Sequence, residues 1–183
     1  TSNKQLLDYP GVALPGGVLA AGGDATAELN AALDNIFEHP NVGPFIARRL
    51  IQRLVTSNPS AAYIQRVASA FNNNGSGVRG DLKAVLRAIL LDSEARYGPW
   101  QYPSIFGKLR EPLLKNTQLW RAMEARTETG RVETLSPYPG IEDWYGQGPL
   151  RSPSVFNFFQ PDYRQSGEIS ELGLFSPEFQ ILT

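Results

Sequence analysis

The side chains that most often carry acid–base and metal chemistry are scarce in this sequence. Its 183 residues contain no Cys and a single His, His39. The missing Cys excludes disulfides, thiolate zinc sites and cysteine nucleophiles, and the single His excludes HExxH and multi-His metal sites. A catalytic His39 would also need a nucleophile, and the sequence has no GxSxG elbow. We therefore predict no metal and no cofactor, and a structural His39 that caps carbonyls at the His39-Pro40 junction or pairs with Glu38 or Asp34.

Two pairs of carboxylates are the residues through which a hydrolase would act. They are Asp92 with Glu94 and Glu142 with Asp143. Glycosidases place two carboxyl groups on either side of the scissile bond, about 5–9.5 Å apart. Neighbours in sequence do not by themselves reach that separation, so the signal is weak. A hydrolase that acts on an extracellular polymer, with carboxylates and His39, stays as an alternative function.

The Gly-rich run 75–80 matches the GxGxxG pattern of dinucleotide-binding loops. That chemistry needs a preceding strand, whereas here a predicted helix ends in three asparagines, and Asp81 puts negative charge where the phosphate would lie. A calcium loop that starts at Asn72 fails because Lys83 stands where the bidentate Glu is required. The adhesion tripeptide RGD at 79–81 is short enough to arise by chance. We interpret the run as a turn between helices with Asp81 as a helix cap.

Charge is distributed unevenly along a chain whose net charge is only −1. Residues 48–131 carry 14 basic and 6 acidic side chains, a net charge of +8, and the remainder carries a net charge of −9. One interpretation is an anionic partner on a basic helical face. We favour internal pairing of this basic layer with acids of the flanking segments or of a missing part of the protein, because the two net charges nearly cancel. Nucleic acid is a disfavoured partner, since no helix is recognisable as one that reads a groove.

Aromatic side chains are concentrated in the last third of the chain. They would form a sugar-stacking platform or anchor irregular segments that wrap a helical core, and we favour the second interpretation because such segments also need large side chains to bury. Together with the basic face they complete a set of candidate binding residues, which are Arg48, Arg49, Arg53, His39, Trp144 and Tyr145.

Helical periodicity predicts an all-α fold, an irregular bundle of about five helices. A Gly- and Pro-rich irregular arm over 1–23 precedes a helical core over 24–126, and an aromatic-rich segment over 127–183 wraps it. No apolar run approaches the roughly 18 residues of a membrane-spanning helix.

Capping residues and prolines place the ends of the helices. The five helices are predicted from Asp24 to the His39-Pro40 junction, from Val42 to Val55, after Ser57-Asn58-Pro59, from Asp81 towards Asp92, and from Leu109 to Arg126. Beyond Asp92 the chain is predicted to loosen through 97–103, and short helices are predicted near Ile141–Tyr145 and Pro153–Phe158.

Several strings, in this order, resemble the bacterial domain-of-unknown-function family 1800 (DUF 1800). They are LDNIFEHPNVGPFIARRLI at 33–51, then 54–60 with 63–67, 77–85 with 90–92, 108–112, and 150–159 with 161–163. The family has no established activity, so the resemblance gives no residue a catalytic role. Its members are typically longer, often carry export signals, and are often encoded beside a partner from another uncharacterised family.

The resemblance implies that residues 1–183 form a single helical domain or the C-terminal portion of a larger one, in the periplasm or outside the cell. We predict a helical binding or assembly module of an exported bacterial protein, because the chain is helical, uneven in charge and without a catalytic motif. Its expected partner is another exported bacterial protein or the N-terminal part of the same protein. A second alternative, binding of nucleic acid or another polyanion through the basic face, predicts steep salt dependence.

Overall fold

The computed structural model describes residues 2–130, 145–148 and 150–182. Its regular structure is almost entirely helical, which confirms the predicted all-α class and irregular bundle. A short antiparallel sheet pairs β1 (Lys4–Gln5) with β2 (Val18–Leu19), and 3-10 helices span Pro15–Gly17 and Pro177–Ile181. Helices α1 to α7 span Ala25–Phe37, Val42–Leu54, Ala61–Asn72, Leu82–Leu91, Ser93–Gln101, Pro112–Ala122 and Glu168–Glu171. Among the described helices, none has the length and hydropathy needed to cross a membrane.

The chain divides into two compact units, each made of two stretches of sequence. Unit 1 comprises Thr1–Arg48 and Ala61–Ile89, and unit 2 comprises Arg49–Ser60 and Leu90–Thr183.

Unit 1 has an apolar core supplied by α2, α3 and α4. Five of its members come from α3 at helical spacing, which is the stripe that periodicity predicts for this helix. The Tyr63 hydroxyl donates a 2.6 Å hydrogen bond to the carbonyl of Ile89, near the end of α4, where helical carbonyls have no intrahelical partner. The buried apolar side chains are Ala47, Tyr63, Ile64, Val67, Ala68, Phe71, Val85 and Ile89.

Two aspartates start helices of unit 1 as predicted. The Asp24 carboxylate accepts a 2.9 Å hydrogen bond from the amide of Ala27, at the first turn of α1. Asp81 Oδ1 accepts from the amides of Lys83 and Ala84 at 3.0 and 3.2 Å, at the start of α4. These bonds satisfy amides that a helix cannot pair internally, so the caps locate both helix starts.

Unit 2 is different, because most of its buried side chains are polar. In its described part, Ile51 and Phe159 are the buried aliphatic and aromatic side chains, and Pro177 is also buried. Its buried polar side chains are Gln52, Thr56, Ser57, Glu94, Glu111, Gln147, Ser176 and Glu178.

Two predictions about the region after α4 were wrong. The irregular segment predicted beyond Asp92 is instead helix α5. The Asp92 side chain accepts a 2.8 Å hydrogen bond from the amide of Glu94 and so starts a new helix. Pro99 lies inside α5, and a Cβ at Gly98 would overlap the Phe106 ring, so Gly98 allows close packing here instead of ending the helix. The fifth predicted helix is shorter than expected, since the chain turns at Glu124, whose φ is 49°.

The predicted helix at 153–158 is also wrong. Ser154 Oγ accepts from the amide of Phe156, Ser154 forms an isolated bridge with Asn157, and Asn157 has a φ of 77°. Serine hydroxyls that bond nearby amides compete with helix formation in this way. The short helix predicted near 141–145 lies outside the described residues except for Tyr145, whereas the position of Pro112 in the first turn of α6 is confirmed.

Candidate functional site

His39 lies at the end of α1, half-buried, in a structural junction. Its Nδ1 accepts a 3.1 Å hydrogen bond from the amide of Asn41, and its ring packs edge-on against Tyr9 at 4.7 Å between centroids. Of the pairings considered for His39, neither that with Glu38 nor that with Asp34 forms, and Glu38 lies 3.7 Å from Arg79 instead. No described carboxylate is paired with the imidazole, so this arrangement provides neither an oriented base nor a nucleophile.

Arg79 connects the end of α1 to the loop before α4. Its guanidinium donates to the carbonyls of Phe37 at 3.0 Å and His39 at 3.2 Å, and to the side chain of Asn72. It also lies 5.4 Å from the Phe37 ring and 5.0 Å from the Phe71 ring. The arginine of the RGD tripeptide is therefore held against its own unit, where it satisfies carbonyls at the end of a helix.

The Gly-rich loop is organised by the two asparagines that precede it. Asn73 Oδ1 accepts from the amides of Gly75 and Gly77 at 2.8 and 3.0 Å, and Asn74 Oδ1 accepts from those of Ser76 and Val78 at 2.9 and 3.2 Å. A phosphate-binding loop uses free amides of this kind to hold the phosphate. These four amides already have acceptors, so the geometry is that of a self-supported turn.

Asp81 completes this turn. Its Oδ2 accepts a 2.8 Å hydrogen bond from Asn74 Nδ2 while Oδ1 caps α4. The hydrogen bond from Asn74, followed by those from the amides of Ala84 and Lys83, lowers the pKa of Asp81 below its ordinary value of 3.8.

The three arginines proposed for binding have different surroundings. Arg48 is exposed in unit 1. In unit 2, Arg49 Nη1 donates to Gln52 Oε1 at 2.9 Å, and Arg53 Nη2 donates to the carbonyl of Phe156 at 2.5 Å. The Arg53 guanidinium also lies 4.2 Å from the centroid of the Phe159 ring. Arg49 and Arg53 therefore contribute to the internal structure of unit 2.

Arg53 belongs to a polar cluster, defined here as Arg53, Lys108, Glu111, Gln147 and Glu178, of which the last three are buried. Arg53 Nη1 lies 3.4 Å from Glu111 Oε1, and Gln147 Nε2 donates to Glu111 Oε2 at 2.6 Å. Lys108 Nζ donates to the carbonyl of Arg53 at 2.9 Å and lies 2.7 Å from Glu178 Oε1. Glu178 is 1% exposed, so its charge is compensated mainly by Lys108. This pairing follows the prediction that part of the basic layer meets acids of the C-terminal segment.

Of the two aromatic candidates, Trp144 lies outside the described residues, and Tyr145 is described. The Tyr145 hydroxyl accepts a 2.5 Å hydrogen bond from Asn116 Nδ2. Tyr145 lines a groove of about 540 Å³ along α6, together with Pro112, Lys115 and Leu119. Its ring therefore borders an open surface, while its hydroxyl has a structural partner.

The carboxylates considered for hydrolysis have structural partners wherever the structure describes them. Asp92 caps α5, and the buried Glu94 accepts from the amide and hydroxyl of Ser60 at 2.9 and 2.5 Å. Glu142 and Asp143 lie outside the described residues. In the part of the chain that is described, no group of three His, Cys, Asp or Glu side chains is arranged to hold a metal ion.

The most unusual surface of unit 1 was not predicted as a site. We define the α1 stripe as Leu29, Leu33 and Ile36, which share one face of α1 and are 59%, 55% and 55% exposed. We define the α4 stripe as Leu82 and Leu86, which are 56% and 40% exposed. The i, i+4, i+7 pattern that identified these helices does not tell whether the same chain covers the apolar face. Sequence periodicity therefore could not distinguish these exposed stripes from the apolar helix faces that form the core.

The opposite side of α1 is occupied by the N-terminal arm. Asn35 Nδ2 donates to the carbonyl of Leu7 at 2.9 Å, its Oδ1 accepts from the amide of Leu7 at 3.2 Å, and the Tyr9 hydroxyl donates to the Asn35 carbonyl at 2.7 Å. α1 is thus anchored through a buried asparagine while its leucines and isoleucine face outward.

One comparison with known proteins gives a match. The model of a family described as "Protein of unknown function (DUF1800)" matches residues 3–181. Neither a curated protein nor a solved structure matches the chain.

Proposed function

We propose that this chain, which belongs to the DUF1800 family of proteins of unknown function, is a helical module that binds a protein partner through the α1 stripe. The observation that carries the proposal is the exposure of more than half of each of Leu29, Leu33 and Ile36 on one helical face. Contiguous apolar patches of this kind mark interaction sites, whereas single exposed leucines need no explanation.

The energetics favour an occupied stripe. Complete burial of a leucine or isoleucine side chain stabilises a protein or a complex by about 1.5–3 kcal/mol. Because these three side chains are about half-exposed, a partner that buries them would gain a large share of that free energy. The Asn35 contacts with Leu7 hold α1 in this orientation, so the stripe cannot turn inward without losing them. A partner that covers the stripe recovers this free energy without any rearrangement of unit 1.

The chemistry of α1 restricts the partner. Residues 24–38 contain four acids and no Lys or Arg; Glu28 is paired with Lys4 at 2.6 Å and Asp24 caps the helix, whereas Asp34 is exposed. An amphipathic helix with an apolar face and basic flanks is the matching surface, by the helix-in-groove mode of recognition. We place this partner in an exported bacterial assembly, in the periplasm or outside the cell, on the basis of the family resemblance alone.

Site-specific photo-crosslinking in the producing bacterium tests this proposal. A photoreactive residue replaces Leu33 in the stripe, and matched variants carry it at the exposed polar positions Asn30 on α1 and Gln65 on α3. We expect a discrete crosslinked product from position 33 and little or none from the controls. Equal labelling at all three positions, or no product at position 33, would overturn the proposal.

No observation supports hydrolysis or polyanion binding as strongly as the exposed α1 stripe supports a protein partner. The hydrolase would need two unengaged carboxylates across a cleft, and Asp92 and Glu94 are both hydrogen-bonded within unit 2. Polyanion binding would use exposed cations of unit 1 such as Arg48, and it predicts steep salt dependence, which an apolar stripe does not.

A further inference from the structure

We infer that Asn74 is a site of spontaneous deamidation that the folded Gly-rich turn protects, with Asp81 as the residue that holds the Asn74 side chain away from its reactive neighbour, Gly75. Asn74-Gly75 is the only Asn-Gly pair in the sequence. The site is independent of the proposed function, because it lies in the turn between α3 and α4 and involves neither the α1 stripe nor the α4 stripe.

Deamidation at an Asn-Gly pair needs no enzyme. The backbone nitrogen of Gly75 attacks Asn74 Cγ, and the new C–N bond closes a succinimide ring. The bond from Cγ to Nδ2 breaks, and ammonia leaves with the proton of the Gly75 amide. Water then opens the ring at either carbonyl, which leaves aspartate or isoaspartate at position 74. Glycine favours ring closure because it has no side chain beside the attacking nitrogen.

The turn itself requires glycine after Asn74. Gly75 has a φ of 92°, in the left-handed region that favours glycine. It is exposed, and a Cβ built on it would meet no atom within 4 Å, so solvent reaches this peptide. The fold therefore imposes a reactive pair of residues and leaves it open to water.

Three hydrogen bonds within the loop oppose the reaction. The Gly75 amide donates to Asn73 Oδ1 at 2.8 Å, so the hydrogen on the attacking nitrogen is engaged. Asn74 Oδ1 accepts from the amides of Ser76 and Val78 at 2.9 and 3.2 Å. The side chain of Asn74 is thus directed along the loop, and Cγ cannot approach the Gly75 nitrogen while these bonds remain.

Asp81 fixes the other end of the Asn74 amide. Asn74 Nδ2 donates to Asp81 Oδ2 at 2.8 Å, while Asp81 Oδ1 accepts from the amide of Lys83 at the start of α4. Rotation of the Asn74 side chain towards Gly75 breaks the bond to Asp81. A hydrogen bond to a charged group favours the closed turn by a factor of about ten or more. We therefore expect Asp81 to control how often the reactive geometry is reached.

The product cannot restore the same turn. Deamidation replaces the Nδ2 donor with a carboxylate oxygen, which in the native geometry would face Asp81 Oδ2. Like charges at that distance repel each other, and isoaspartate also adds a carbon atom to the backbone. Each deamidation event therefore alters the start of α4 permanently, so the turn is a one-way chemical switch.

Incubation of the purified chain in mildly alkaline buffer, followed by peptide mapping that separates Asn, Asp and isoAsp at position 74, tests the inference. We expect the folded chain to react at least about tenfold more slowly than the same chain in urea, because the reaction requires a locally opened turn. Asp81→Ser keeps a capping oxygen for α4 but has no second oxygen for Asn74, and it should raise the rate in the folded chain about tenfold. Asp24→Ser makes the same change at the cap of α1 and should leave the rate unchanged.

A second variant keeps the test decisive if Asp81→Ser unfolds the chain, which circular dichroism detects. Asn73→Ala frees the Gly75 amide without removing a helix cap, and it should also raise the rate. Equal rates in the folded and the unfolded chain would overturn the inference, as would folded variants at positions 73 and 81 that react no faster than the unaltered chain.

The effect of the product is tested with Asn74→Asp, which introduces the new charge directly. The amides of Lys83 and Ala84, which Asp81 caps, should exchange hydrogen severalfold faster in this variant than in the unaltered chain. Asn30→Asp, at an exposed position of α1, is the matched control. Unchanged exchange in Asn74→Asp would overturn the one-way switch.

Discussion

In unit 1 the least exposed side chains are apolar and come from α2, α3 and α4, with Asn35 as the buried polar exception. In unit 2 the described buried side chains are mostly polar, and several polar contacts of this unit connect positions more than 50 residues apart, such as Arg53 with Glu111 and Asn58 with Phe175. Apolar packing is additive and tolerant, whereas a buried polar group needs its particular partner. The comparison suggests that unit 1 depends on the shape of its core and unit 2 on the completeness of its polar contacts.

The largest effect is expected from breaking the buried ion pair of unit 2. Lys108→Ala removes the ammonium from Glu178, which is 1% exposed, and from the carbonyl of Arg53. Loss of one partner leaves a buried charge uncompensated and costs about 3–5 kcal/mol. Urea unfolding followed by circular dichroism measures the change in the free energy of unfolding.

The matched control is Lys115→Ala, since Lys115 is exposed and its loss should change the free energy of unfolding by less than about 0.5 kcal/mol. If Lys108→Ala prevents folding, the double variant Lys108→Met with Glu178→Leu removes both charges and should regain much of the stability. Equal effects of Lys108→Ala and Lys115→Ala would contradict the dependence of unit 2 on this pair.

The next effect sharpens the difference between core and surface in unit 1. Ile89→Ala removes a side chain that is 0% exposed and should cost about 2–5 kcal/mol through lost burial and a residual cavity. Leu33→Ala removes an aliphatic side chain that is 55% exposed, and it should cost the monomer less than about 0.5 kcal/mol. Both values come from urea unfolding at low protein concentration, and similar losses in the two variants would show that the α1 stripe is part of the core.

The smallest effect concerns the charge of Asp81. Its pKa is lowered in the folded state by Asn74 and by the amides of Ala84 and Lys83, so its contribution is present above its ordinary pKa of 3.8 and is lost as the pH falls through the lowered value. Asp81→Asn should therefore flatten the decline of stability below about pH 4. Thermal unfolding measured from pH 6 to pH 2 tests this, and an Asp81→Asn variant that loses stability below pH 4 as steeply as the unaltered chain would contradict it.

The helices of unit 1 were predictable because their signals are local. Asp24 and Asp81 each bond amides two or three residues ahead, and His39-Pro40 follows the end of α1. The prediction at α5 was wrong because Gly98, a helix breaker by propensity, lies here against the Phe106 ring. Helix propensity is a property of each residue taken separately, so it does not include the contact between Gly98 and Phe106.

The candidate site was less predictable than the helices. Arginine and histidine are residue types that often bind ligands, but the type of a residue does not indicate the carbonyls and rings that surround Arg53 and His39 in the fold. Phe156, the acceptor for Arg53, lies 103 positions further along the chain. No local pattern predicts a bond over that distance.

The sequence by itself determined the class of fold, the starts of α1 and α4, and the absence of cysteine and multi-histidine chemistry, because these follow from composition and from contacts within a few residues. Only the tertiary structure decided which apolar stripes form the core and which face solvent, and which charges are used internally. Periodicity creates an apolar face on a helix, and burial depends on what other parts of the chain lie against that face. For Val67 the face is covered, and for Leu33 it is open to solvent.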